Sequence, residues 1–282
     1  MNPETARAAL DAVAAAGDAP LAIAEIALAL AVLDRVDAGL PAPETRGCLE
    51  ALDATVAAVA EAESHGIEPA AALAAGIAGR LGYTGDAETY DDLANADLIR
   101  VIERRRGLPV ALGILYIHAA RARGHGAAGL NVPSHFMIGV EAGDRRGELR
   151  QWALDPFNGG QPLSAEALRE YLRRVSPGSE ASPAAVAPVP DRAVLLRLQN
   201  NIKLRRLQAG DTAGGLAVLA RMRRMAPELP ELVGEHAAVL SSAGALKAAS
   251  GVLREWLDAG HGDPAIRRAL EERLAGIGSR LN

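Results

Sequence analysis

Residues 107–158 read GLPVALGILYIHAARARGHGAAGLNVPSHFMIGVEAGDRRGELRQWALDPFN, and the fold follows from this stretch. Gly107 breaks the helix before it. Pro109 then suits the first turn of a new helix, where its missing N–H costs nothing. Val110, Leu112, Ile114, Leu115, Ile117 and Ala119 make that helix apolar nearly all round. Such a helix is predicted to be central and buried, ending near Gly124. Leu130–Val132, Phe136–Val140 and Leu149–Leu154 predict short strands, the last with Arg150 and Trp152 alternating with less polar neighbours. Gly143-Asp144-Arg145-Arg146-Gly147 reads as a strand-joining turn. Ser164 predicts a cap for a last helix over Ala165–Arg173. The expected unit is an α+β domain: one buried helix against a small antiparallel sheet.

Upstream, residues 1–80 predict a helical region. A helix after Pro20 buries Leu21, Ile23, Ile26, Leu28 and Leu30 and stops at Leu40-Pro41-Ala42-Pro43. A second runs from Glu44 or Thr45 to Gly66, and a third from Pro69 to Leu81. Residues 81–175 hold the α+β core, which opens with a helix capped by Asp91 or Asn95 and continued by Leu98 through Arg105. Its end carries Arg104, Arg105 and Arg106, favourable charges for a helix C-terminus. Residues 176–190, rich in Pro and Ala, predict a linker or an extended strap. Residues 191–282 are helical again, with a 34-residue offset that aligns Leu198 with Leu232, Leu219 with Leu253 and Met222 with Trp256. That offset is the tetratricopeptide period, in which paired helices cover one another's apolar faces; a plain helical bundle, with the offset a coincidence of an Ala- and Leu-rich chain, is the alternative.

Composition narrows the function. The 282 residues are 49% hydrophobic and 23% charged, enough for a sizeable ordered core. Thirty basic against 35 acidic residues leave a net charge of -5, which gives no support to nonspecific nucleic-acid binding. The lone cysteine, Cys48, rules out an internal disulfide. The N-terminus does not read as a signal peptide, and the apolar run Leu21–Leu33 is broken by Glu25 and too short for a bilayer. A cytoplasmic protein without a membrane span is expected. The six histidines lack metal-motif spacing, and no glycine loop precedes a helix as a phosphate cradle would. No cofactor and no metal are expected.

One pair of residues suggests chemistry. His135 and Asp155 end two short apolar runs, as the base and orienter of a nucleophilic site would. Ser134 is adjacent to His135 on extended chain and therefore points away from it, a poor arrangement for activation. Cys48 lies far upstream and reads as a small buried hydrophobe. Asp155 equally suits a simple turn cap, and His135 a structural bond between strands.

Several motifs resemble the bacterial SirB-type family. They are Leu81-Gly82-Tyr83-Thr84-Gly85, Tyr90, Asn95, Arg100 to Pro109, Gly129-Leu130-Asn131-Val132-Pro133-Ser134-His135-Phe136, and Asp155-Pro156-Phe157-Asn158-Gly159-Gly160. The resemblance implies a transglutaminase-like core, related to papain-like cysteine hydrolases, followed by tetratricopeptide repeats. The family usually has Pro-Gly-His-Phe where this chain has Pro133-Ser134-His135-Phe136. The resemblance also implies a nucleophilic cysteine at the start of the buried helix. Pro109 or its neighbour stands there, so the thiol is missing.

The expected function is therefore a non-catalytic module that binds a protein or peptide partner or regulates one. The alternatives are a hydrolase or acyltransferase working on amide bonds through His135 and Asp155 without cysteine, and a purely structural scaffold. The candidate binding residues are Asn131, Ser134, His135, Trp152, Asp155, Asn158 and Arg106. Asn131 and Asn158 would bracket the cleft, and one arginine of the basic run would be buried against Asp155 or Asp91. Trp152 also suits the core, and the arginines a solvated helix end.

Overall fold

The computed structural model describes residues 1–130, 132, 135–143, 148–175 and 187–280. Helices α1 (Pro3–Ala16), α2 (Ile23–Asp37) and α3 (Arg46–Ser64) come first. In α2 every residue from Ile23 to Leu33 except Glu25 is buried, as a helix apolar on all sides requires. Helix α4 (Pro69–Leu73) widens into a π-helical turn over Ala74–Arg80. Strand β1 (Thr84–Gly85), helix α5 (Leu98–Arg104) and strand β2 (Arg106–Gly107) follow. The two strands form a short parallel pair that local sequence did not signal.

The cap of α5 is Asp97, not Asp91 or Asn95 as expected. Asp97 directly precedes Leu98, so its carboxylate reaches the backbone N–H groups of Ile99 and Arg100 at 2.9 and 3.3 Å. Asn95 is instead buried, its side-chain amide donating to the Thr89 carbonyl. Burial pushes Asp97 up to about 6, against the pull of its backbone hydrogen bonds, with Asp34 adding to the rise. A raised carboxyl pKa in the fold means stability is lost as pH rises from the unfolded value toward 6. Asp97→Asn keeps a good cap and removes that titration. Urea unfolding at several pH values should show the variant gaining roughly 2 kcal/mol over wild type between pH 4 and pH 7. A pH-independent difference between the two proteins would contradict this account.

Helix α6 (Pro109–Ala122) begins with proline at its first turn, and eleven of its residues are buried. It lies against a five-stranded antiparallel sheet of β3 (Gly126–Leu130), β4 (Met137–Gly143), β5 (Leu149–Leu154), β6 (Pro162–Leu163) and β7 (Pro188–Val189). The spatial order is β6-β5-β4-β3-β7. Ile138, Val140, Ala142 and Leu154 face α6, with Trp152 packed beside them. Met137 and Ala153 face the opposite side, beneath helix α7 (Ala165–Val175). Gly113 lets α6 approach closely, since a Cβ there would sit 2.4 Å from the Phe136 ring.

Two strands depart from expectation. The sequence pattern places the first at Leu130–Val132, but β3 runs over Gly126–Leu130. Its Gly and Ala residues have low strand propensity, and pairing with β4 on one side and β7 on the other supplies what propensity does not. The expected strap contributes β7 as an edge strand, while residues 176–186 lie outside the described residues. The turn residues 144–147 lie outside them as well.

The C-terminal helices are α8 (Asp191–Gln208), α9 (Thr212–Met225), α10 (Pro230–Ser242), α11 (Leu246–Asp258) and α12 (Pro264–Gly278). The chain is thus an α+β core with helical flanks and an all-α C-terminal region. One hydrophobic cluster runs from Ala6 through α6 and the sheet to Val194, Leu198, Met222 and Leu232. A second cluster, centred on Leu253 and Trp256, holds α10, α11 and α12 together. Among the described residues no helix is long and apolar enough to cross a membrane.

Candidate functional site

Asp155 follows the last residue of β5, and Pro156 at once turns the chain into a short 3-10 turn over Pro156–Asn158. One carboxylate oxygen caps that turn, accepting from the Phe157 and Asn158 backbone N–H groups at 3.0 and 3.3 Å. The other accepts from the Asn158 side-chain amide at 2.7 Å and meets His135 Nε2 at 2.8 Å. Burial pushes the Asp155 carboxyl up, but the hydrogen bonds from His135 and Asn158 together outweigh it and hold it below its ordinary value. An ionised Asp155 only accepts, so His135 Nε2 carries the shared proton. His135 precedes β4, and its ring lies 6.1 Å from that of Tyr171 on α7. Strand pairing of Ile138 with Leu154 brings the two ends of β4 and β5 together.

The start of α6 faces the same place. A cavity of about 60 Å³ is lined there by Leu108, Pro109 and Val110 on one side and by His135 and Phe136 on another. Tyr90 and, from α8, Arg197 and Asn201 close it. The Arg197 guanidinium lies 5.4 Å from the centre of the Phe136 ring. Asn201 is held in place: its amide donates to the Arg197 carbonyl, and its oxygen accepts from Arg205.

The structure gathers some of the candidate residues and scatters others. His135, Asp155 and Asn158 form one hydrogen-bonded group, and Pro109 borders the cavity that His135 lines. Trp152 lies elsewhere: it packs against the main core and borders a groove of about 420 Å³ beside α7. Arg106 is exposed on β2 and does not line the cavity at His135. The arginine that is tied down is Arg104, and its partners are Asp86 at 2.9 Å and Asn95 at 3.2 Å, not Asp155 or Asp91. Asp91 instead pairs with Arg205 of α8. Asn131 and Ser134 lie outside the described residues. No sequence pattern marks Arg197, Asn201 and Tyr90 as neighbours of His135, yet they line its cavity. Nothing in the periodicity of α8 marks Arg197 among its five basic residues.

Cys48 is buried in α3. Burial pushes its thiol up, and the charges of Glu103 and Asp97 add to that, so it is poorly suited to form a thiolate. Among the described residues no cluster of His, Cys, Asp and Glu could hold a metal ion.

A buried helix whose start faces a His–Asp pair at the ends of two adjacent strands defines a transglutaminase-like domain. The model of the transglutaminase-like superfamily matches residues 44–200, more than half of the chain, and the chain belongs to that superfamily. More narrowly, it is 38% identical over 127 residues to a UPF0162 protein of Xylella fastidiosa, covering 44% of this chain and 43% of that one. It is 27% identical over 199 residues to a UPF0162 protein of Pasteurella multocida, covering 69% of this chain and 73% of that one. It is also 28% identical over 126 residues to human F-box only protein 21, covering 44% of this chain and 19% of that protein. The match spans less than half the length of the Xylella relative. No solved structure matches the chain significantly.

Proposed function

We propose that this chain is a non-catalytic, SirB-type module that binds a protein or peptide partner on a transglutaminase-like core. The observation that carries the reading is Pro109. It borders the cavity at His135, at the helix start where the family resemblance implies a cysteine. Proline has no side-chain nucleophile. It also has no backbone N–H to stabilise a developing oxyanion, so two catalytic contributions are absent at once. The one cysteine, Cys48, is buried in a different helix with its thiol pushed up.

A second reading rests on the dyad. The His135–Asp155 bond of 2.8 Å, with Asp155 held ionised, would suit a base that activates water against an amide bond. One assay separates the two readings. Wild type and His135→Ala are incubated with peptide amides and amine acceptors, and release or transfer is followed by mass spectrometry. No turnover above background in either protein is expected. Turnover in wild type that the variant lacks would sink the non-catalytic reading.

Pro109→Cys tests the placement itself. A thiol at the start of α6, beside His135, is expected to alkylate with a midpoint about one pH unit or more below the free-cysteine value of about 8.5. An alkylation profile like that of free cysteine would remove position 109 from the site.

We further propose that α8–α9 and α10–α11 are tetratricopeptide-like pairs. The 34-residue offset supports this, because it relates Leu198 to Leu232, Leu219 to Leu253 and Met222 to Trp256, all buried. It also relates the first residues of α9 and α11.

A further inference from the structure

We propose that the cavity at the start of α6 is a receptor for a single carboxylate of a peptide partner, with Arg197 as its principal contact. The inference rests on the interaction reading above and names the chemistry recognised.

Charge decides the sign of the ligand. Helix α8 carries five basic residues, and four of them meet a carboxylate. Arg192 pairs with Glu228, Lys203 with Glu235, Arg205 with Asp91, and Arg206 with Asp34 and Asp211. Arg197 meets none among the described residues, although it is partly buried and lines the cavity. A guanidinium withdrawn from water without a counter-ion is costly, and a bound anion removes that cost. Its orientation is fixed by stacking over Phe136, and the Asn201 amide holds the carbonyl of the same residue.

The helix start adds to the same sign. Val110, at the second position of α6, is buried, and Leu108 provides no side-chain cap. The positive end of the α6 dipole therefore borders the cavity, and among the described residues no acidic side chain lines that cavity. The acid of the dyad, Asp155, is already occupied by His135 and Asn158.

Size decides the class. Pockets that enclose whole small molecules have roughly 300–1,000 Å³. The 60 Å³ here admits a head group whose body remains outside. A planar carboxylate also matches the guanidinium fork better than a larger tetrahedral anion in so small a space. The carboxylate can come from a chain terminus or from an acidic side chain.

The test uses the full chain and nuclear magnetic resonance of the arginine Nε–H groups, with the Arg197 signal assigned through Arg197→Lys. The probes are N-acetylglycine, its uncharged amide, a glutamate blocked at both ends, and inorganic phosphate. A saturable shift of the Arg197 signal with N-acetylglycine is expected for a terminal carboxylate. The same shift with blocked glutamate is expected for a side-chain carboxylate. The amide should give none, and Arg197→Gln should weaken carboxylate binding by about tenfold or more. Equal responses to acid and amide would overturn the inference. So would tighter binding of phosphate than of either carboxylate, or undiminished binding by folded Arg197→Gln. If that variant does not fold, the acid-against-amide comparison in wild type decides alone. A peptide captured by the full chain with equal strength as acid and as amide would overturn this inference while leaving the interaction reading standing.

Discussion

Asp191→Ala is expected to destabilise the protein by about 3–5 kcal/mol, the usual cost of removing one partner of a buried ion pair. Asp191 is the first residue of α8, and its side chain is 1% exposed. Both its oxygens receive the Arg121 guanidinium, at 2.5 and 2.9 Å, and one also accepts the Leu21 backbone N–H at 2.8 Å. Arg121 sits near the end of α6 and donates as well to the Ala127 carbonyl of β3. One carboxylate thus ties the N-terminal helices, the central helix and the C-terminal region together. Alanine leaves Arg121 short of its counter-ion and Leu21 N–H without its acceptor. The loss would appear as a lower urea midpoint with little change in slope. Asp191→Asn should retain part of the stability, because one amide oxygen can still accept. A loss below about 1 kcal/mol for alanine would mean that solvent already screens the pair, as it does exposed bridges.

Gly160→Ala is expected to cost about 3 kcal/mol, from backbone strain and overpacking combined. Gly160 closes the turn that begins at Asp155, donating its N–H to the Asp155 carbonyl at 2.7 Å. Its φ is +68°, and a Cβ there would lie 2.5 Å from the Tyr116 hydroxyl oxygen. Tyr116 is fully buried in α6 and cannot swing aside. Gly159→Ala is the control. It has φ +81° but open space around a Cβ, so only strain of about 1–2 kcal/mol is expected. The difference between the variants measures the Tyr116 contact. Since the same turn holds Asp155, Gly160→Ala should also weaken the His135–Asp155 bond, which the His135 ring resonances would report. Equal losses for the two alanines would show that Tyr116 yields.

The dyad was legible in the sequence because its parts are local. His135 and Asp155 each sit at the end of an apolar run, and adjacent antiparallel strands bring such ends together. Asn158 was legible for the same reason, lying three residues beyond Asp155 in its turn. Trp152 and Arg106 show the limit of that logic. Trp152 precedes Asp155 by only three residues, yet it packs with the main core and borders a different groove. Arg106 is close in sequence to Pro109, but the left-handed backbone at Arg105, φ 55°, redirects the chain before β2.

Apolar residues on every side made the central position of α6 readable before folding, and residue patterns did the same for the helical flanks around an antiparallel sheet. The absence of a thiol at the helix start was equally plain, because Pro109 is a matter of identity and needs no geometry. What surrounds the dyad depends on long-range packing. Arg197 and Asn201 belong to a helix that begins more than fifty residues after His135, and they reach the cavity because Val194, Leu195 and Leu198 bury α8 in the main core. Periodicity records which face of a helix is apolar, not which distant element covers it. For that reason the lack of a carboxylate partner for Arg197 among the described residues, the raised pKa of Asp97 and the three-way tie at Asp191 emerge only when the chain is folded.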